Sequence, residues 1–326
     1  MIQKRVGILR GGAGEHYALS LKKGGELISH IVEHLSHKYK VQDILIDQDY
    51  IWHVNGVPVS PSDLLNKIDI AWNTSHPSFA NILESLSIPN AGNGSFSGVF
   101  KNSKEMLRKH MVQIGVVIPR AIVLPVYQKD FDPRYAEGSG EASGPREKYA
   151  IKKAKEVFEK FGSPWIVKSF PNDSNMGPVR GREGSQRPSA SNGMGVHFAQ
   201  TFSQLVAAIE DGVKHGKSIL VEEFIVGKVA SVHSVPNFRG EVMYVFPPVN
   251  VFGELASSEK ERLSSLARTL HHHIGAKHYL KSNFVLNKRG KIYLLDLEFT
   301  PNLKSFSHFS QACESVGAKM HHVVEH

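Results

Sequence analysis

The sequence has little cysteine, no long apolar run and no basic or aromatic motif of the kind that binds nucleic acid. A single cysteine, Cys313, among 326 residues excludes an internal disulfide framework and is typical of a protein kept in a reducing compartment. No apolar segment reaches the roughly 20 residues that span a bilayer, and the opening residues predict a strand rather than an export signal. We therefore expect a cytoplasmic protein with no membrane-embedded part.

The charge balance is basic but does not identify a partner. The chain carries a net charge of +8 and is 41% hydrophobic, so it can bury a large core divided into two or three lobes. Polyanions suit a positive protein, but the Lys and Arg residues are spread along the chain. Residues that bind nucleotide phosphates account for the same excess, and we expect small-molecule partners rather than nucleic acid.

Histidine is abundant, with 18 residues, and two groups stand together in "HHHIG" (271–275) and "MHHVVEH" (320–326). Neither group has a metal-ligand spacing to a second cluster. The first closes a helical pattern, where histidines complement the helix dipole and Gly275 can end the helix. We therefore predict structural roles for both groups.

Strands and helices alternate in the first hundred residues. The predicted strands lie at 5–9, 43–46 and 69–73, and a predicted helix follows at 79–86. Gly11, Gly12 and Gly14 follow the first strand and lead into an amphipathic helix, but they match no strict phosphate-loop pattern. This alternation predicts a doubly wound α/β lobe whose ligand surface lies at the carboxyl ends of its strands.

The rest of the chain predicts an α+β arrangement with two polar insertions. The predicted helices cover 104–113, 148–161, 202–216 and 258–274. The predicted strands cover 121–124, 164–170, 218–224, 229–235 and 241–246. The insertions, at 129–147 and 171–192, have hardly any apolar content. We interpret the second as a lid over phosphates, with solvated slack as the alternative.

The segment "KSNFVLNKRGKIYLLDLEFT" (281–300) predicts a β-hairpin with a charged end far from its turn. A tight turn at "NKRG" places Asn283 opposite Leu294 and diagonal to Asp296. Strand alternation then assigns one face to Lys281, Asn283, Val285, Ile292, Leu294, Asp296 and Glu298. The other face, which includes Tyr293, is apolar throughout, so both faces are expected to be covered. Buried carboxylates need a cation or hydrogen-bond donors, and this favours a metal–phosphate site over a solvated face.

Two further features suit a bound nucleotide. Lys168 lies in an apolar strand, where its ammonium needs an anion, either a nucleotide phosphate or an acid on a neighbouring strand. The strand "ILVEEF" (219–224) ends in Glu222, and backbone amides beside an apolar wall suit an adenine ring. Hard oxygen ligands such as Asp296 and Glu298 are those that Mg²⁺ prefers.

The ATP-grasp superfamily has the same features in this order: a lysine on a strand, an adenine-type linker and paired acids on a later hairpin. The sequence resembles the D-alanine–D-alanine ligases of that superfamily over nearly the whole chain. The similar segments are "RVGILRGGAGEHYALSLKKG", "SIPNAGNG", "SKEMLRKHMVQIGVVIP", "PWIVKSF", "SNGMGV", "ILVEEFIVG" and "YLKSNFVLNKRGKIYLLDLEFTPNLKSFS". The resemblance implies an ATP-grasp fold, in which an N-terminal doubly wound lobe (1–95) is joined to two α+β lobes that clasp ATP (96–221 and 222–326).

The resemblance also implies roles at the matching positions. ATP would be bound by Lys104, Lys168, Glu222, Phe224 and Ile225. One or two Mg²⁺ ions, or Mn²⁺ in their place, would be held by Asn283, Asp296 and Glu298. The oxyanion of the tetrahedral intermediate would be stabilised by Lys281 and the backbone N–H of Asn302. The two amino acids would be positioned by Glu15 and Ser307.

Several positions depart from the family's pattern. The metal ligands Asp, Glu and Asn read here Asn283, Asp296 and Glu298, so two carboxylates and one amide remain in a new order. An arginine becomes Lys281, a glycine becomes Asn302 and a ribose-binding glutamate becomes Val229. The first-lobe loop is shorter at "NTSHPSF" (73–79), and the tyrosine-bearing loop that covers the substrate is missing.

The resemblance implies a cytoplasmic, homodimeric ATP-dependent carboxylate–amine ligase that joins D-alanine residues through an acyl phosphate for peptidoglycan synthesis. Two alternatives stay open: a ligase of the same fold for other amino acids or peptides, and a nucleotide-binding protein that no longer catalyses. The departures favour the alternatives, whereas the retained carboxylates and phosphate lysines favour catalysis.

Overall fold

The computed structural model describes residues 3–12, 17–92, 104–127, 145–170, 195–216 and 218–326. The chain divides into two compact units, the first made of Met1–Val117 with Val226–His326 and the second of Ile118–Ile225. The predicted lobe boundaries at 95 and 221 stay a prediction. Glu15, the 171–192 segment and most of the 129–147 segment lie outside the described residues.

The first unit opens with a six-stranded sheet. Its strands are β1 (Lys4–Gly11), β2 (Tyr39–Ile46), β3 (Trp52–Val54), β4 (Val57–Val59), β5 (Ile70–Asn73) and β6 (Asn90–Gly92), in the order β4-β3-β2-β1-β5-β6. The strands β2, β1, β5 and β6 are parallel. Helix α1 (Tyr17–Leu35) packs its Leu27 against Val6, whereas helix α2 (Ser78–Ser85) packs its Phe79 in a separate core with Leu9. Helices on both faces confirm the predicted doubly wound lobe.

A hairpin at the edge of this sheet was not predicted. Strands β3 and β4 pair antiparallel around Asn55 and Gly56, whose φ angles are 51° and 84°. Both angles are positive, as a type I′ turn requires, and Asn-Gly is the dipeptide that adopts it most readily. The signal was therefore present in "VNGV", but the flanking strands are only three residues long.

A five-stranded antiparallel sheet completes the first unit. Its strands are β11 (Gly227–Pro236), β12 (Met243–Val245), β13 (Val249–Phe252), β14 (Leu280–Asn287) and β15 (Ile292–Glu298), in the order β12-β11-β14-β15, with β13 paired to β11. The accompanying helices are α3 (Lys104–Gln113), α6 (Ser257–Ile274), α7 (His308–Glu314) and α8 (Met320–Glu325). Helix α6 ends at Gly275 with φ 66°, as the sequence predicts.

The second unit has a four-stranded sheet with helices on one face. Its strands are β7 (Ala121–Leu124), β8 (Trp165–Phe170), β9 (His197–Ala199) and β10 (Ser218–Glu223), in the order β7-β10-β8-β9. Helices α4 (Pro145–Lys160) and α5 (Phe202–Lys214) bury that face in a core that includes Val157, Val167, Ile209 and Val221. The α+β assignment is confirmed. None of the helices in the described ranges is long and apolar enough to cross a membrane.

Candidate active site

The predicted site residues lie in two places, one in each compact unit. The first unit carries the end of the β14–β15 hairpin, the turn that follows it and the carboxyl edge of the first sheet. The second unit carries the strands β8 and β10 with the linker that leaves β10. In each place the polar side chains lie on one face of strands whose other face is buried.

The hairpin brings the charged residues together more closely than predicted. Asn283 lies directly opposite Asp296, and Lys281 lies opposite Glu298. The predicted pairing of Asn283 with Leu294 is wrong, because Leu294 pairs with Phe284 and a bulge follows between Asn283 and Phe284. The turn is one residue longer than predicted, which shifts the pairing of β15 with β14 by one residue. The bulge shifts it by one more, so the charged side chains return to the face that was predicted for them.

Near the turn the alternation is reversed relative to the prediction. Tyr293 pairs with Val285 and therefore shares the face of the charged residues, whereas Ile292 and Leu294 join the opposite face. Backbone N–H groups of Arg289 and Lys291 donate to the Asn287 side chain, which shapes the longer turn. The face assignment of Lys281, Asn283, Asp296 and Glu298 is nevertheless confirmed.

Lys281 and Glu298 form a partly buried ion pair. Lys281 Nζ donates to Glu298 Oε1 at 2.7 Å, and each side chain is only 14% exposed. A pair this shielded from water interacts more strongly than a surface pair. Each charge therefore orients the other, which couples the predicted oxyanion donor to a predicted metal ligand.

Strand β11 adds polar groups that the sequence analysis did not single out. Ser231 lies opposite Asn283 and donates from Oγ to Asn283 Oδ1 at 2.7 Å. His308 Nδ1, at the start of α7, lies 3.4 Å from the same hydroxyl. Burial and the nearby Lys281 charge lower the pKa of His308, against a smaller opposing effect of Glu298. The alternation in "VASVHSV" was the available signal, since it puts Ser231 and His233 on one face.

A neutral pair of rings, His233 and Tyr279, lies beside Lys281. His233, opposite Lys281 on β11, shares a hydrogen bond of 2.6 Å between its Nδ1 and the Tyr279 hydroxyl. Burial is the main cause that lowers the pKa of His233 and raises the pKa of Tyr279, so neither is charged at neutral pH. His233 Nε2 is buried with no hydrogen-bond partner in the described part of the chain. The imidazole beside Lys281 is therefore uncharged at neutral pH.

The turn after the hairpin is held by its own side chains. Ser307 Oγ donates to the Asn302 carbonyl at 2.9 Å and accepts from Ser310 N–H at the start of α7. Asn302 Oδ1 accepts from the Lys304 N–H at 3.1 Å. Phe306, with φ 62°, projects from the turn and is 90% exposed. The turn is therefore built by Asn302 and Ser307 together, and their predicted substrate roles stay predictions.

The short first-lobe loop is hydrogen-bonded to the carboxyl end of β1. Ser75 Oγ donates to the Gly11 carbonyl at 2.6 Å, and Thr74 Oγ1 donates to the Leu9 carbonyl at 2.7 Å. Gly11 has φ 90°, and a Cβ there would lie 2.1 Å from the Ile46 carbonyl oxygen, so only glycine fits. These contacts fix the carboxyl end of β1 in place.

In the second unit, Lys168 meets an acid on the neighbouring strand. Its Nζ lies 2.5 Å from Glu222 Oε2, and the two side chains are 13% and 12% exposed. Lys168 pairs with Leu220, so Glu222 is its diagonal neighbour on the sheet face opposite the helices. The alternative of an ion pair between strands is confirmed, and phosphate binding by Lys168 stays a prediction.

The linker after β10 is held by its neighbours. Glu223 accepts two hydrogen bonds from the Arg120 guanidinium, at 2.8 and 3.0 Å. Phe224 N–H donates to the Pro164 carbonyl at 3.0 Å, and its ring lies edge-on to Phe198 with centroids 4.8 Å apart. An apolar aromatic wall therefore flanks Glu222 and Ile225, as adenine binding would need.

The hairpin end suits a hard cation through its oxygen ligands. The described part of the chain has no group of three His, Cys, Asp or Glu side chains arranged for a metal. Asn283 lies opposite Asp296, and Glu298 lies two residues further along. Together they offer one amide and two carboxylates, the ligand types that Mg²⁺ accepts. Lys104 begins α3, but its side chain is outside the described residues, and Val229 lies within β11.

No family model matches the sequence. The D-alanine–D-alanine ligase of Fervidobacterium nodosum is 22% identical to the chain over 98% of this chain and 96% of that protein. The VanG D-Ala:D-Ser ligase from Enterococcus faecalis superposes with a TM-score of 0.69 at 14% identity, covering 99% of this chain and 98% of that one. The D-alanine–D-alanine ligase from Bacillus anthracis complexed with ATP gives 0.65 at 17% identity, covering 99% and 94%. The predicted ATP-grasp fold is confirmed.

Proposed function

We propose that this chain, a divergent relative of the D-alanine–D-alanine ligases, is an ATP-dependent ligase that joins a carboxylate to an amine. The observation that carries the proposal is the end of the β14–β15 hairpin, where Lys281, Asn283, Asp296 and Glu298 meet in two directly opposed pairs. Similarity over nearly the whole chain to a protein named D-alanine–D-alanine ligase supports the same activity. The proposed setting is peptidoglycan precursor synthesis in the cytoplasm by a homodimer.

The first half of the reaction is the activation of a carboxylate by ATP. The carboxylate oxygen attacks the γ-phosphorus, the bond to the β-phosphate oxygen breaks, and an acyl phosphate and ADP result. Lys104 and Lys168 would neutralise the phosphate oxygens, while Glu222, Phe224 and Ile225 would hold the adenine ring. For Lys168 to do this, its ammonium must share its charge between Glu222 and the phosphate.

The second half is the attack of an amine on the acyl phosphate. The nitrogen forms a bond to the carbonyl carbon, and the tetrahedral intermediate expels inorganic phosphate. Lys281 and the backbone N–H of Asn302 would stabilise its oxyanion, at about 3 kcal/mol per well-placed donor. Glu15 would bind the ammonium of the first amino acid and Ser307 the carboxylate of the second.

Asn283, Asp296 and Glu298 would hold Mg²⁺, or Mn²⁺ in its place, beside the phosphates. The ion would supply charge neutralisation during phosphoryl transfer. Ser231 donates to Asn283 Oδ1, and the second lone pair of that amide oxygen would bind the cation. The ion pair with Lys281 reduces the net charge that Glu298 brings to the site.

A ligase with a different second substrate is the other candidate. The remodelled first-lobe loop at 73–79 favours it, because Thr74 and Ser75 are committed to backbone carbonyls. Among the proteins of the same fold, VanG is named a D-Ala:D-Ser ligase. The exposed Phe306 beside Ser307 also offers a new apolar surface at the second-substrate turn.

The test is ADP release from Mg-ATP with D-alanine alone and with D-alanine plus each of a panel of amino acids, with product masses read in the same samples. We expect ADP formation that depends on D-alanine, and the product mass names the acceptor. Asp296→Asn is expected to abolish turnover. Tight ATP binding without turnover under any of these conditions would leave a binding protein as the function.

A further inference from the structure

A histidine cluster lies where α8 packs on α1. Its members are His30 and His34, one turn apart on α1, and His321 and His322 in the first turn of α8. The rings of His34 and His321 are stacked with centroids 5.1 Å apart, and His30 is almost fully buried with its centroid 4.8 Å from that of His34. The contact between the two helices is thus made in part of imidazoles, the side chains that gain a charge between about pH 8 and 5.

The buried member of the cluster has no partner for a proton. His30 Nε2 is buried and has no hydrogen-bond partner among the residues that the structure describes. Burial, and after it the charges of His34 and His321, lowers the pKa of His30 to about 4. Burial is also the main cause that lowers the pKa of His321. Docking of α8 therefore opposes proton uptake, and by linkage proton uptake opposes docking.

The charges around the cluster give little compensation for added protons. The other charged or titratable side chains near it are Glu26, Glu33, His37 and Lys38 on the side of α1, Lys319 and Glu325 on the side of α8, and Lys304 of the turn at 302–307. Glu325 pairs with Lys38, and Glu26 lies 3.5 Å from Lys304. Glu33 lies 3.9 Å from His34 but is 68% exposed, so water screens it. Protonation would place several like charges between the two helices.

Helix α8 is held by few other contacts. It has six residues, none of them fully buried, and a helix this short is not stable by itself in water. Val324 packs against the core of the first sheet, and Val323 and Met320 pack against the core of the antiparallel sheet. His326 Nε2 donates to the Pro236 carbonyl at 2.9 Å. A segment with so little buried surface opens at a lower cost than the sheets.

Leu303 connects α8 with the substrate turn at 302–307. It packs against the same two cores as α8, the first together with Val324 and the second together with Val323. It also follows Asn302, whose backbone N–H serves the proposed reaction. The pair of Lys304 with α1 is half exposed and adds little. Departure of α8 would uncover the cores on which Leu303 lies and loosen the turn.

We propose that α8 is a pH-sensitive latch on the substrate turn: proton uptake by the histidine cluster releases α8 from α1, and the turn loses its support. Leu303 is a positioning residue in this device, since it acts through the backbone of Asn302. The release itself does not depend on ligase activity, whereas its effect on catalysis rests on the proposed function.

The test is amide hydrogen exchange of the full chain between pH 7.5 and 5.0, corrected for the intrinsic pH dependence of exchange. We expect the segments 320–326 and 302–307 to lose protection together, by about tenfold or more, with a midpoint between about pH 5 and 6.5. Helix α6 and strands β1 and β11 should stay protected. Unchanged protection of 320–326 at pH 5.0, or its loss only together with the whole molecule, would overturn the proposal.

Three variants separate the cluster from other titrating groups. His30→Leu with His321→Gln removes two imidazoles without adding charge, and α8 should then stay protected at pH 5.0. His34→Gln with His321→Gln leaves the buried His30 in place and should lower the midpoint by about 0.5–1 pH unit. His215→Gln removes an exposed histidine of the second unit and should not move the midpoint. Equal midpoints in all three variants would contradict a role for the cluster.

The KM of the second amino acid tests the link to catalysis. From pH 7.5 to 5.5 it should rise about tenfold more in the unaltered chain than in the variant with His30→Leu and His321→Gln, while kcat changes alike in both. Equal changes of KM would show that the latch does not reach the substrate turn. Absence of turnover in both chains, with release of α8 intact, would count against the proposed function and not against the latch.

Discussion

The charges of Lys281 and Glu298 compensate each other at a site with little access to water. Each is 14% exposed, so removal of either partner leaves a charge in a place with little water. The family's arginine would bring a planar fork here, whereas the lysine brings a single ammonium that Glu298 already holds at 2.7 Å. Stability and oxyanion binding are therefore coupled through this pair.

We expect Lys281→Met and Glu298→Gln each to lower the free energy of unfolding by about 2–4 kcal/mol, because each strands a shielded charge. The double variant should recover part of that loss, with a coupling of about 1–3 kcal/mol. Urea denaturation measures all three. The exposed pair Arg5–Asp69 is the matched control, and Arg5→Met should lower the free energy of unfolding much less than either change at the buried pair. Equal losses at the two pairs would contradict the burial argument.

Helix α1 packs closely on its neighbours at one of its two adjacent glycines. Two adjacent glycines interrupt its helical pattern, but only one is needed for packing. A Cβ on Gly24 would lie 2.6 Å from Arg10 Cβ and 3.1 Å from Thr74 Oγ1, whereas a Cβ on Gly25 meets nothing within 4 Å. Gly24 thus allows α1 to lie against β1 and the short first-lobe loop.

We expect Gly25→Ala to raise the free energy of unfolding by about 0.5–1 kcal/mol, because alanine has the higher helix propensity and is not obstructed there. Gly24→Ala should lower it by about 1–3 kcal/mol through overpacking. Chemical denaturation measures both free energies of unfolding. Each variant is the control for the other, since both make the same change at adjacent positions of one helix. Stabilisation by both would show that α1 does not pack closely on Arg10.

At the scale of the whole molecule, α1 and α8 meet through histidines. His30 is 7% exposed, and its ring centroid lies 4.8 Å from that of His34 and 6.4 Å from that of His321. Burial, followed by the charges of His34 and His321, lowers the pKa of His30 to about 4. The Lys38–Glu325 ion pair joins the turn after α1 to α8. These contacts agree with the structural roles predicted for the terminal histidines.

The low pKa of His30 makes stability depend on pH. The unfolded chain takes up this proton near pH 6.5 and the folded chain only near 4, so the folded state loses stability as the pH falls between those values. Between pH 7.5 and 5.0 the loss is about 2 kcal/mol for this group. We expect His30→Leu to remove about that much of the pH dependence in urea denaturation. An unchanged pH dependence in His30→Leu would assign it to other groups.

Local signals were enough for most elements but not for the pairing of the hairpin. Helix α6 and its glycine end were predictable because both follow from a few consecutive residues. The bulge beside Asn283 was not, because its position depends on the turn and on pairing with β11. The hairpin β3–β4 had an Asn-Gly signal, but strands of three residues are too short to show alternation.

The sequence by itself determined the order and type of the elements, the shared face of the four polar hairpin residues and the resemblance to a family of ligases. These depend on periodicity and on neighbours in the chain. Only the tertiary structure decided that Glu222 is the partner of Lys168, that Ser231 orients Asn283 and that His30 meets His321. Such contacts join residues about 50 or more positions apart, and no local pattern specifies which distant side chains the packing of strands and helices brings together.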